Sequence, residues 1–466
     1  MSDQAGKDPR PIAIIVASAL LMQNLDSAAV TTALPSMARD MGIEPARLGV
    51  AITSYLVALT VFIPFSGWVA DRFGAKRVFM AAIVIFVSAS TACGFADGLP
   101  ELVAARIVQG LGGAMMVPVG RLLLLRGLRR DQMLQAMTWL TMPGMLGPIS
   151  GPVLGGALTD LLGWRYVFWI NIPIGILGLA MVWWKIPRVE AQDPGPPDIK
   201  GLLLVGGALA GFMFGIETIG RGVLPAWWPE AGLVLGLALG VLAIRHCRRA
   251  ARPAVDLTLL KLPSFHGATV AGTVFRVGAG ASPFLVPVLL QVGFGWGATE
   301  SGLVSFATAI GALAMKPLAQ PILKRLGFRA TLVWGTLAAG VTLAACAMFS
   351  AAWPLWAMFV VLAVGGLFRS LQFTALNTLA FAELPQSRFS AATGFYGMAQ
   401  QISPALGVVL ATMTLEASAA LNGRHEVAVF DFSVAFVVAA CVLASAAPLL
   451  ARLPKGIGAE VSGHRG

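Results

Sequence analysis

The chain has 466 residues, 57% of them hydrophobic and only 12% charged, and its mean hydropathy is +0.80. Soluble domains carry about 25% charged residues, so an ordinary soluble enzyme is excluded. A membrane-spanning helix needs roughly 20 apolar residues, and a chain of this length and composition reads as a polytopic, all-α membrane protein.

The polar start includes Lys7 and Arg10 and runs into a long apolar stretch that carries Asp26 and lacks a small-residue cleavage site, so it reads as a retained first span. Runs free of Asp, Glu, Lys and Arg lie at 48–70, 78–96, 132–159, 166–184, 277–299, 389–415 and 432–451, each long enough to cross a bilayer. The charge-free run 330–368 is too long for one helix, and Trp353-Pro354 near its middle supplies a turn and an interfacial aromatic. With shorter and once-charged stretches added, fourteen spans are expected near 11–34, 48–70, 78–97, 101–124, 133–159, 166–184, 200–219, 227–244, 264–290, 300–322, 330–350, 353–380, 390–415 and 430–451.

An even number of spans puts both termini on one side, and basic loops resist translocation. The termini and the loops on their side hold 24 Lys and Arg; the opposite loops hold five, Arg39, Arg47, Arg165, Arg221 and Arg424. Both termini are therefore predicted to be cytoplasmic. The net charge of +11 and the pI near 10.1 record this topology, and charges spread over short loops form no nucleic-acid groove. Residues 190–198 are the one clear Pro/Gly linker. Basic, Gly-centred loops at Arg72–Arg77 and Arg325–Arg329 echo one another, as repeated transporter halves do. The expected organisation is a six-helix bundle over 1–190, a linker with two extra helices over 191–250, and a second six-helix bundle over 251–466.

The loop after the second span reads Gly67-Trp-Val-Ala-Asp71-Arg72-Phe-Gly74-Ala-Lys76-Arg77. Gly67 permits close helix approach, Gly74 a tight reversal, and Asp71 can bond to neighbouring helix ends or basic residues in one of two bundle arrangements. A plain positive-inside loop is the rival reading, but it needs neither the aspartate nor the glycines. The segment resembles the signature motif of the major facilitator superfamily at every diagnostic position.

In the fifth span, Gly147-Pro148-Ile-Ser-Gly151-Pro152-Val-Leu-Gly155-Gly156 places a glycine every four residues, so one helix face admits another backbone while the prolines loosen the adjacent strip. The stretch resembles the pattern of antiporter members of that superfamily; glycine packing without any exchange role is the alternative. Asn24-Leu-Asp26 through Leu34-Pro35 in the first span, and Gly163-Trp164-Arg165 through Asn171-Ile-Pro173-Ile-Gly175, resemble stretches of its fourteen-helix drug:proton antiporters. Leu102-Val-Ala-Ala-Arg106-Ile-Val-Gln109-Gly110 resembles a further family motif in the fourth span.

Ionisable groups inside a membrane are costly and mark function by default. Asp26 lies about 12 Å and Arg106 about 9 Å from the outer ends of their expected spans at about 1.5 Å per residue, so the two can meet in one layer. Two readings follow: Asp26 carries a proton and Arg106 modulates it, or the two form a permanent structural pair. Arg276 sits near the centre of the ninth span, facing a cavity or a buried acid. Lys316 and Arg369 lie nearer the cytoplasmic ends of their spans, Lys316 placed to snorkel. Arg369, Gln372 and Asn377 collect polarity in an apolar helix, which puts that face on a substrate path or in inter-helix hydrogen bonds. The later spans contribute basic residues and no interior carboxylate, which argues against cationic substrates.

Cys93, Cys247, Cys346 and Cys441 are scattered singly and His246, His266, His425 and His464 do not cluster, so neither a disulfide nor a metal site is expected. There is no phosphate-binding G-x-x-x-x-G-K-[ST] run, and no enzyme activity or cofactor is expected; the energy source is the proton gradient. The resemblance implies a major facilitator fold of fourteen helices and proton-coupled efflux of amphiphilic small molecules or drugs by alternating access across a bacterial inner membrane. Export of a metabolite or organic anion is the second reading. The expected partners are the small-molecule substrate, protons and the lipid bilayer, without nucleic acid; a periplasmic adaptor is left open.

Overall fold

A computed structural model describes residues 9–126, 128–187, 191, 193–218, 225, 227–424 and 426–464, with the side chains of 46, 143–146, 148, 149, 298 and 299 set aside. Pro148 of the glycine-rich span thus falls outside the described side chains, and Lys7, Arg188, Arg221, His425 and Arg465 outside the described residues. Among the described residues there is helix and no strand.

Long apolar runs leave the backbone one way to satisfy its polar groups inside a bilayer, which is helix. The main helices are α1 (Arg10–Met41), α2 (Val50–Phe62), α3 (Phe65–Phe73), α4 (Ala75–Gly94), α5 (Leu99–Leu125), α6 (Met133–Leu161), α7 (Asn171–Lys185), α8 (Ile199–Thr218), α9 (Trp227–Arg249), α10 (Gly272–Val288), α11 (Ala298–Ala345), α12 (Leu355–Ala382), α13 (Phe389–Leu421) and α14 (Val429–Ala444). Among the described residues, eleven helices are long and apolar enough to cross a membrane, and the pair α2 and α3, bent by 60°, adds a twelfth when counted as one span.

Several expected spans change shape. The first does not stop at Leu34-Pro35: α1 runs through Pro35 to Met41 and ends at Gly42, whose φ of 62° supplies the left-handed cap. A proline costs a spanning helix one internal hydrogen bond, which neighbouring groups can make good. The expected straight span 48–70 breaks at Ile63-Pro64 into α2 and α3. Gly327, with φ 71° and ψ 171°, interrupts α11 between the two spans read there. Pro354 stands at the start of α12, as the division of the run 330–368 required.

The chain forms two compact units. The first comprises Met1–Arg129, Trp139–Thr258 and Pro385–Met398. Within it α5 packs against α1, α2 and α4, and α7 against α1 and α4. The added helices α8 and α9 make a hairpin in which Gly211 meets Gly236 so closely that a Cβ at Gly211 would lie 3.0 Å from the Gly236 Cα, and α8 rests on α2. The second unit comprises Arg130–Thr138, Leu259–Leu384 and Ala399–Gly466. There α11 packs along α12, and α14 lies against α10 and α11.

Candidate functional site

Asp26 lies near the middle of α1 and is 0% exposed; Arg106 on α5 is 1% exposed, so neither side chain reaches water. Their expected depths rested on a shorter α1, yet the structure brings them together: Arg106 Nη1 donates to Asp26 Oδ2 at 2.7 Å. Gln109, one turn along the same face of α5, donates from Nε2 to Asp26 Oδ1 at 2.9 Å, and its Oε1 accepts from Arg106 Nη1 at 2.7 Å. Asn171, the first residue of α7, donates to the same Oδ1 at 2.9 Å and to Ser90 Oγ on α4 at 2.9 Å. Ser90 donates onward to the Phe168 carbonyl at 2.9 Å. The guanidinium lies 5.2 Å from the Tyr55 ring centroid and 5.0 Å from that of Phe168, a cation–π contact on each that replaces part of its lost hydration.

Two helices, α5 and α7, thus reach the one carboxylate on α1, and its two oxygens receive three donors. Charge-assisted bonds of this kind are shorter and stronger than neutral ones, and taking Arg106 away from the carboxylate breaks a buried ion pair. Asp26 and Arg106 were legible as intramembrane charges. Gln109, Asn171, Ser90, Tyr55 and Phe168 were not assigned to the site. Gln109 and Asn171 lie inside the recognised motifs, and a buried carboxylate needs donors for both oxygens, which is the signal that points to them.

The glycine face of α6 meets α1 beside this carboxylate. A Cβ on Gly147 would lie 2.6 Å from the Asn24 Cβ, one on Gly151 would strike the Ala28 Cβ, and one on Gly155 would lie 2.7 Å from the Ala29 Cα. Gly156 meets α1 only at ordinary contact distance, with Thr32 Cγ2 at 3.9 Å, and Pro152 is exposed. Close approach is therefore needed at Gly147, Gly151 and Gly155 and not at Gly156.

The signature loop also has specific partners. Asp71 on α3 accepts from Arg126 at the end of α5, and Arg126 reaches Ser390 Oγ at 3.3 Å. A Cβ on Gly67 would collide with the carbonyl of that same Ser390, so the glycine is what lets this backbone approach. Gly74 turns the chain with φ 86°. Arg72 pairs with Asp193 of the linker at 3.1 Å, Trp68 Nε1 donates to the Gly195 carbonyl at 3.1 Å, and Arg77 is exposed. The linker is thus docked on the loop. Arg121, counted with the loop charges, is instead buried inside α5 and stacks on Tyr396 at 5.6 Å.

The second unit holds the remaining interior cations. Arg276 on α10 is buried, and Phe275 beside it stacks on Phe373 of α12. Lys316 does not snorkel: it is buried and donates to Thr374 Oγ1 at 3.2 Å. Arg369 donates to Thr308 Oγ1 and to the Gly365 carbonyl, both at 3.3 Å. Gln372 turns to the Thr331 carbonyl at 2.9 Å, while Asn377 accepts from Gln400 at 2.8 Å. Arg369, Gln372 and Asn377 therefore meet three different neighbours. An interior carboxylate was not expected in the last span, yet Asp431 in the first turn of α14 is buried, bonding the Ala428 N–H at 2.8 Å, Ser418 Oγ at 2.6 Å and Arg424 at 2.8 Å. It closes a helix end, where a carboxylate is favoured.

Residues 16–244 and 268–463 match the family profile of the Major Facilitator Superfamily. The chain is 36% identical over 456 residues to a protein of Klebsiella pneumoniae subsp. pneumoniae that carries the name multidrug resistance protein MdtD, covering 96% of this chain and 95% of the relative. A Cronobacter sakazakii protein of the same name is 36% identical over 451 residues, covering 95% and 94%. Among solved structures, the human organic anion transporter MFSD10 superposes with a TM-score of 0.69 at 13% identity over 95% of this chain and all of that one. The proton:xylose symporter XylE does so with a TM-score of 0.64 at 14% identity, covering 97% of each chain. At these identities the solved structures speak for the fold.

Proposed function

Because the chain belongs to the Major Facilitator Superfamily, a family of membrane transporters, we propose that it exports amphiphilic small molecules across the bacterial inner membrane by alternating access, in exchange for protons. The observation that carries this reading is the buried Asp26–Arg106 pair with Gln109 and Asn171 on the same carboxylate. While the pair is closed, Asp26 is bonded to Arg106 and sealed from water. When the helices separate the two groups, the carboxylate takes up a proton, and re-closure expels it. Asp26 is the carrier and Arg106 the residue that clears it. The glycine face of α6 gives α1 a close, smooth surface on which to shift, and the Asp71–Arg126–Ser390 contacts latch one conformation. No bound cofactor enters this cycle.

The names of the MdtD relatives support a drug-type substrate. A second reading, export of an organic anion, is favoured by the basic interior of the second unit at Arg276, Lys316 and Arg369.

We read the chain as fourteen spans in a six, two, six arrangement over 1–190, 191–250 and 251–466, with both termini cytoplasmic. Dividing α11 at Gly327, joining α2 to α3 and adding the 29-residue α6 to the apolar helices supports that number. The excess of Lys and Arg in the loops on the side of the termini supports the orientation.

The test is proton movement in energised inverted vesicles, read with a fluorescent pH reporter while cationic drugs and then organic anions are added. Asp26→Asn is expected to abolish the triggered proton release while sparing membrane insertion and downhill exchange, and release by cationic drugs would set aside the expectation drawn from the basic later spans. Release by anions alone would shift the assignment to the second reading, and uphill transport surviving in Asp26→Asn would remove Asp26 as carrier.

A further inference from the structure

The second unit has a crevice of about 470 Å³ at the Gly327 break, built by the flanks of α11 and by the segment that follows α14. One end is basic: Arg329, Lys455 and His464 line it. The other end is apolar, lined by Val333, Trp334 and Ala451. Among the described residues neither Arg329 nor Lys455 has a carboxylate partner, and Lys455 is exposed. The basic end is held in place. His464 Nδ1 donates to the Lys324 carbonyl at 3.1 Å, with its ring over Gly327, where a Cβ would lie 2.9 Å from His464 Cδ2. The short helix Ala459–Ser462 is tied by an ion pair of Glu460 with Arg130 at 2.5 Å.

The apolar end belongs to the bilayer. Trp334 is 69% exposed although it stands in the charge-free run 330–368, so its ring faces lipid and not a packed core. It follows Arg329 by five residues, about 7.5 Å along a helix, the separation that puts a tryptophan at headgroup level beneath basic residues. An exposed Leu326 extends the apolar surface on the other side of the break.

We propose that this crevice binds one anionic phospholipid, with its phosphate on Arg329, Lys455 and His464 and an acyl chain along Val333 and Trp334. The charge selects an anion. The tryptophan floor, which a free phosphate would leave bare, selects a lipid. The site is independent of the Asp26 network and of the transported substrate.

The experiment titrates detergent-solubilised full-length protein with phosphatidylglycerol brominated on its acyl chains, and in parallel with brominated phosphatidylcholine. The share of fluorescence quenching that disappears in Trp334→Phe reports the site. Half-quenching of that share is expected at a tenfold or greater lower concentration of phosphatidylglycerol than of phosphatidylcholine. The preference should vanish in Arg329→Gln/Lys455→Gln. Lys455→Gln alone, at an exposed position where folding is not at stake, should cut it about threefold. Excess glycerol phosphate should leave quenching unchanged. Equal quenching by the two lipids, a preference that survives the double substitution or is untouched by Lys455→Gln, or displacement by glycerol phosphate alone would each overturn the proposal.

Discussion

The two units share a way of packing and differ in how they house buried charge. In the first, the glycines of α6 let it close on α1. In the second, Gly407 of α13 meets α10 at Gly280, whose own Cβ would lie 2.8 Å from the Pro404 Cα. The first unit encloses a carboxylate and a guanidinium bonded to each other and to two amides. In the second, Lys316 and Arg369 donate to the hydroxyls of Thr374 and Thr308. A paired charge responds to the geometry of its partner, whereas a cation resting on a neutral hydroxyl chiefly sets the local potential. The second unit also brings an acid and a base together, buried Asp431 with Arg424, but that arginine is partly exposed and the pair closes a helix end; the sealed pair of the first unit has the arrangement that a proton can open.

Substitution of the two arginines gives the largest contrast. Arg106→Met strands Asp26 in a dry site, and breaking a buried pair in this way costs about 3–5 kcal/mol. Arg369→Met removes two long hydrogen bonds to neutral acceptors, with an expected cost of about 1 kcal/mol. Thermal unfolding of the two variants in one detergent checks this: Arg106→Met should melt well below wild type and Arg369→Met close to it. Equal losses would dissolve the distinction between the units.

Much of this was legible from the residues. Apolar run lengths located the helices, Trp353-Pro354 marked the start of α12, and the depths of Asp26 and Arg106 put them within reach of each other. Pro35 misled because a proline is a weaker stop inside a bilayer than in water, and α1 therefore runs on to Met41. Lys316 looked like a residue reaching for the interface, since sequence position gives its height in the membrane but not the direction in which it points. Gln109 and Asn171 were hidden for a related reason. Each is a neutral polar residue whose role depends on neighbours contributed by other helices, and single-chain periodicity carries no trace of those contacts.

A smaller effect sharpens the glycine half of the comparison and contains its own control. Gly155→Val pushes a branched side chain into the Ala29 backbone three residues from Asp26, whereas Gly156→Val meets only Thr32 Cγ2 at 3.9 Å. Overpacking costs about 1–3 kcal/mol. Gly155→Val should therefore lose stability and drug-triggered proton release together, with Gly156→Val retaining both. If the two neighbours were equally harmful, a general intolerance of β-branched residues in α6 would replace close packing as the explanation.

The smallest effect concerns a carboxylate of the first unit that lies outside the membrane and contrasts with the sealed Asp26. Asp198 caps α8, accepting from the Gly201 N–H at 2.9 Å, the Ala254 N–H at 3.0 Å and His246 Nε2 at 2.8 Å. Its partial burial pushes its pKa up, but these three donors together outweigh burial and hold it below the ordinary aspartate value. A lowered carboxylate pKa stabilises the fold above the unfolded value of about 3.9, and that contribution is lost as pH falls through the folded value. Asp198→Ala, which removes cap and charge, should cost about 1 kcal/mol near pH 7. Asp198→Asn keeps a capping side chain and should cost less. Melting curves at pH 7 and pH 3 decide the matter: the gap between wild type and Asp198→Asn should narrow at pH 3, which lies below the unfolded value, so that the contribution of the lowered pKa is already being lost. A gap that stayed constant would mean that the charge on Asp198 adds nothing beyond the hydrogen bonds of the cap.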